Sequence, residues 1–265
     1  MNLFLASQCL LILFSCSLLI QTLEYFRLLP FTDQLGVWSW QIQKSDIPLT
    51  QRTIRSLLDA LLDQRGYKVL LALRLVTAAS LPLVGVTIWS SWFLLISNLL
   101  LLVRWRGAFN GGSDFMTLVL TCGLVLGQTC GLWAGEAMGW VISMWYVSIH
   151  SITSYFMSGW VKLIKKEWVT GVCMPIFLNT GVYGPLKQNS WLTKKPIAIL
   201  CSWSFILWEA LMPLALLSPE LARVFCSVAL VFHFLVFWFF GLNRFFWAWA
   251  ASLPAILYCS TWVWS

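Results

Sequence analysis

Four ionisable side chains lie well inside long apolar runs: Arg74, His150, Glu209 and His233. Charge in such a stretch is costly, and it is kept where it faces an interior partner or a site. At a 1.5 Å rise per residue, all four fall about 8–18 Å from the same end of their runs. They can therefore line one buried pocket, with Arg74 and Glu209 as an ion pair. The same pair can also serve only to fix helix register. His150 alone fits a bundle histidine satisfied by its own helix. A fifth group, Lys162, closes an apolar run and precedes Lys165, Lys166 and Glu167. By charge it is an anchor at a helix end; in an apolar site its amine is readily tuned into a base.

The elements that must position these groups are greasy helices. Of the 265 residues, 60% are hydrophobic and 10% charged, against roughly 25% charged in soluble domains. The first run, from Leu3 to Leu23, carries no charge and is long enough to span hydrocarbon. No Lys or Arg precedes it and no small-residue cleavage site follows, so it reads as a retained span. Residues 24–68 differ in kind. There Ile54, Leu57, Leu58, Leu61 and Leu62 recur at helical spacing among Arg55, Asp59, Asp63 and Arg65. This predicts an amphipathic helix on the membrane surface or against the bundle, started by Pro48 and Thr50.

The run from Val69 to Val103 is too long for one span and is expected to break near Trp89, Ser90 and Ser91. Further spans are expected from Phe115 to Trp133, Trp140 to Val161, Pro196 to Leu217, Leu221 to Phe240 and Phe245 to about Val263. The stretch from Lys162 to Lys195 suits a segment that dips into the membrane without crossing. The fold class that follows is an all-α integral membrane protein, a bundle of about eight transmembrane helices with one surface helix. It forms a single multi-pass domain over residues 1–265. With an outside amino terminus, all of the 17 Lys and Arg except Arg74 and Arg223 fall on the inner side. The positive-inside rule therefore selects that orientation.

Other function classes are poorly served. The net charge of +7 is spread over loops, without a contiguous basic groove, so nucleic acid is not an expected partner. The 8 Cys form no Cys-x-x-Cys and no zinc spacing, so no metal site is expected and the thiols act as small hydrophobes. The 18 Trp suit an aromatic belt. Gly123, Gly127, Gly131, Gly135 and Gly139 recur every fourth residue, a ladder for close helix approach within the chain or to other membrane subunits.

Around Lys162 the order is Tyr155, Phe156, Met157, Ser158, Gly159, Trp160, Val161, Lys162, Leu163, then Trp168 and Gly171. This resembles the lysine motif of the vitamin K-dependent gamma-carboxylases and of their bacterial relatives, the horizontally transferred transmembrane (HTTM) domain proteins. Asn110, Gly111, Gly112, Ser113 and Asp114 are similar to the family's loop, and Trp208, Glu209 and Pro213 to its Glu-bearing helix. Phe232 and His233, followed by Gly241, Leu242 and Asn243, are similar to its late elements. The likeness covers roughly residues 70–258.

The resemblance implies base chemistry. Lys162 would be the catalytic base, with Arg74, Glu209, His233 and Asn243 binding substrate and a reduced quinone as cofactor. The chain departs from the carboxylases at Gly112, where their loop has a functional histidine. No stretch of these 265 residues is expected to replace their propeptide-gripping domain, and the charge pattern puts Lys162 on the inner side. Two functions are therefore expected. One is a non-catalytic subunit of a larger membrane assembly, in a bacterial inner membrane. The other is a gamma-carboxylase-like enzyme in which Lys162 acts on a quinone, lipid or peptide.

Overall fold

The computed structural model describes residues 1–32, 36, 38–46, 52–105, 111–187 and 189–264. Pro48, Thr50 and Asn110, which carried expectations above, lie outside them. Every regular element among the described residues is helical. In chain order they are α1 (Leu3–Arg27), α2 (Trp40–Gln43), α3 (Arg52–Leu62), α4 (Gln64–Val84), α5 (Ile88–Arg104) and α6 (Ser113–Ala134). Then come α7 (Glu136–Ile164), α8 (Lys166–Val169), α9 (Cys173–Leu178), α10 (Lys195–Ala210), α11 (Pro219–Phe240) and α12 (Asn243–Val263). Four of them, α1, α4, α6 and α11, are long and apolar enough to cross a membrane. α5 is apolar but shorter, at 17 residues.

Local chemistry explains where the helices stop. The expected break near Trp89 lies instead at Gly85, Val86 and Thr87. Gly85 ends α4 with φ 76°, a conformation that suits a residue without Cβ. Thr87 and Ser90 then form a reciprocal capping box at the start of α5. Ser90 and Ser91 are thus helical: Ser90 caps, and Ser91 is buried and donates to the Ile88 carbonyl. The run expected from Pro196 to Leu217 likewise divides. α10 ends at Ala210, and Met212–Leu216 continues as a 3-10 turn whose Pro213 lacks an amide donor. Ser218 caps α11 by accepting from Leu221 N, and Gly241 closes it with φ 67°.

The bundle centres on α1, α6, α7 and α12. Leu10, Phe14 and Leu18 of α1 are fully buried in one core with Met144 of α7 and Ala251 and Ala255 of α12. Thr261 donates to the Met1 carbonyl, tying the end of α12 to the chain start. The glycine ladder is used inside the chain. A Cβ on Gly139 would lie 2.4 Å from the Gly127 carbonyl oxygen, and one on Gly127 would lie 2.8 Å from Ser143 Cβ. α6 and α7 therefore touch backbone to backbone, and Gly135 at φ 86° turns one into the other. Gly131 is looser, with its nearest neighbours at 3.8 Å.

Candidate functional site

Tyr155, Ser158, Gly159 and Lys162 lie at i, i+3, i+4 and i+7 and so share one face of α7. That face meets the carboxyl end of α10. A Cβ on Gly159 would be 2.3 Å from the Ala210 backbone nitrogen, so the bare glycine is what lets the two backbones meet. This contact seats the Lys162 ammonium on the Glu209 carboxylate, and the ammonium also donates to Ser158 Oγ at 2.6 Å. The Lys162 and Glu209 side chains are 16% and 5% exposed, so this is a largely desolvated pair. The Trp168 ring lies 5.4 Å from Nζ, completing the surround.

The contact continues antiparallel beyond α7. Ser202 donates to the Trp168 carbonyl, Trp203 Nε1 to the Val169 carbonyl at 3.1 Å, and Gly171 packs on the backbone of Ala198 and Ile199. The spaced residues of the lysine segment (Gly159, Lys162, Trp168 and Gly171) thus serve one zipper along α10.

A second polar pair lies one step away. Tyr155 OH and His233 Nε2 are 2.6 Å apart. Trp249 stacks on the imidazole at 5.0 Å, and Trp208, next to Glu209, lies 5.2 Å from the Tyr155 ring. Burial of both partners makes the bond costly to break from one side. Tyr155→Phe is therefore expected to destabilise the protein by about 1–3 kcal/mol, read as a lower midpoint in detergent unfolding. A midpoint unchanged from the parent would mean that the imidazole is satisfied elsewhere.

Arg74 does not join this site. The expected Arg74–Glu209 ion pair is absent, because α4 packs on α1 and α5 whereas Glu209 sits on the α7 contact. Arg74 donates instead to Gln21 Oε1 and Ser97 Oγ, each at 2.7 Å, and to Asn98 Oδ1 at 3.4 Å. Gln21 passes the link to Asp114 at 3.1 Å. Arg244 closes it, 3.7 Å from Asp114 and 2.9 Å from Glu24. Asn243 belongs to that region too, lining a cleft of about 140 Å³ with Glu24, Ser113 and Arg244. The expected single pocket is therefore two clusters, Lys162–Glu209 with Tyr155–His233, and Arg74–Gln21–Asp114–Arg244. His150 Nδ1 donates to the Tyr146 carbonyl at 2.9 Å, a bond within its own helix.

From the sequence, Tyr155 and Ser158 stand only as motif positions and Asp114 only as part of a loop, and Gln21 and Arg244 have no place in a site. Ser158 and Tyr155 were findable, since both fall on the helix face that carries Lys162. Gln21 was not, because an amide in an apolar run gives no hint of its partner. Among the described residues no three of His, Cys, Asp and Glu gather as a metal-binding group. Comparison of the chain with protein-family models, with characterised proteins and with solved structures finds no match.

Proposed function

We propose that the chain is a non-catalytic, multi-pass membrane subunit, HTTM-like in its motifs, whose buried polar groups clasp its own helices and whose outer face packs against partner subunits. The observation that carries this reading is the closure of the lysine site. Lys162, Ser158 and Glu209 are bonded to one another over a backbone contact at Gly159 and Ala210. For Lys162 to act as a base on a quinone, lipid or peptide, Glu209 must first release it, and the packed backbones oppose that movement.

The membrane setting has its own support. Leu83, Trp89 and Trp133 are 85%, 82% and 89% exposed, a surface that suits lipid and not water. Trp89 begins α5 and Trp133 ends α6, so both lie at one end of the bundle, as an aromatic belt requires. We read eight crossings, with α5, α7, α10 with its 3-10 extension, and α12 joining the four helices that are long and apolar enough to cross. The amino terminus is outside, and the basic loops face the cytoplasm of a bacterial cell.

The test is extraction of the full chain from its native membrane in a mild detergent. Other membrane subunits are expected to co-purify in fixed proportion. A single small species without them overturns the subunit reading.

A further inference from the structure

The inner ends of α3 and α4 carry a surface that the clasp sites do not use. Gly66 lies against the Ala60 carbonyl with no room for a Cβ, so α3 is held in a fixed elbow against the start of α4. Asp59 pins the other side of α3, accepting from Trp40 Nε1 at 2.7 Å and pairing with Lys44 at 3.4 Å. Fixed this way, α3 still leaves Ile54 and Leu57 43% and 59% exposed. On α4 an outward stripe runs through Val76, Leu73 and Val69 and ends at Lys68 and Arg65.

The charges on this surface are one-sided. Arg52, Arg55, Arg65 and Lys68 are exposed and form no ion pair among the described residues. Asp59 is occupied by Trp40 and Lys44, and Asp63 is half-buried at the amino end of α4. Two large apolar side chains flanked by four free cations match the boundary of an anionic leaflet. There acyl chains take the apolar face and phosphates the cations.

We propose that α3 and the first turns of α4 form a binding surface for anionic phospholipid headgroups. Ile54 and Leu57 enter the acyl boundary, while Arg52, Arg55, Arg65 and Lys68 meet the phosphates. The proposal rests on the membrane-spanning part of the functional reading and is independent of partner subunits. It also sets a depth: Lys68 and Arg65 mark the headgroup level at the foot of the α4 stripe, with their stems lying along it.

Hydrogen exchange of the full chain in nanodiscs tests it, comparing phosphatidylcholine alone with phosphatidylcholine mixed with phosphatidylglycerol. Exchange across residues 53–62 is expected to slow about tenfold or more in the anionic discs, since each cation adds to the attraction. The variant R52Q/R55Q/R65Q/K68Q should lose the difference while the amides of α6 exchange as before. Added salt should shrink the difference in the parent protein. Equal exchange in the two compositions, or a difference that survives in the quadruple variant, overturns the proposal. Failure of the chain to enter either disc overturns it together with the membrane reading. A chain that enters both discs but shows no lipid effect overturns the lipid surface alone.

Discussion

Lys162→Ala is expected to lower stability by about 3 kcal/mol or more, because it leaves the Glu209 carboxylate buried without its partner. The pair is unequal, with Glu209 more deeply enclosed than Lys162. Glu209→Ala should therefore cost less, since the long lysine stem can carry its ammonium towards water. The two singles alone do not separate a clasp from a catalytic pair that also stabilises. The informative variant is Lys162→Met combined with Glu209→Leu, which fills the same space without charge. If the pair is a clasp, the double variant recovers most of the lost stability, as buried ion pairs replaced by apolar groups of similar volume often do. Unfolding in mixed micelles of mild and denaturing detergent compares the parent, the two alanine singles and the apolar double variant. A double variant no more stable than Lys162→Ala would show that the charges themselves hold α7 on α10. A silent Lys162→Ala would mean that water already reaches the carboxylate.

How much of this could be read from the chain differs by kind of information. The helices announce themselves because an apolar run needs no partner to be recognised. The amphipathic pattern of α3 is equally local: Ile54, Leu57, Leu58 and Leu61 fall on one side by spacing alone. Depth was also legible, and it led the Arg74–Glu209 pairing astray. Distance from the end of a run fixes height in the bundle but not the direction in which a side chain points or which helix stands beside it. Arg74 and Glu209 can share a height and still sit on different neighbours.

The misplaced break before α5 has another cause. Ser90 and Ser91 look like a polar interruption, yet hydroxyls at a helix start satisfy the free amides there and belong to the helix. The real break is marked by Gly85, whose positive φ is visible only in the backbone. The lysine motif sits between these cases. Its spacing put Tyr155, Ser158, Gly159 and Lys162 on one face, but only the packed structure shows that α10 occupies that face.

Gly159→Ala should be the most damaging one-carbon change in the α7–α10 contact, costing about 3 kcal/mol or more, at or beyond the upper end for an overpacked core. The added Cβ would meet the Ala210 nitrogen at 2.3 Å, Ala210 Cα at 2.8 Å and the Glu209 carbonyl carbon at 2.9 Å. All three are backbone atoms, so no rotamer change gives relief. The helices must part by on the order of 1 Å to reach ordinary contact. Gly131→Ala is the matched control, with nothing nearer than 3.8 Å to its Cβ. There the gain in helix propensity should leave stability unchanged or raise it by about 0.5–1 kcal/mol. Parting α7 from α10 also draws Lys162 off Glu209, so the two losses overlap. Gly159→Ala with Lys162→Ala should then cost clearly less than the sum of the singles, whereas Gly131→Ala with Lys162→Ala should be additive. Full additivity at Gly159 would mean that the glycine contact and the ion pair are separate supports. The reading of Gly159 as the residue that seats the clasp would then fail.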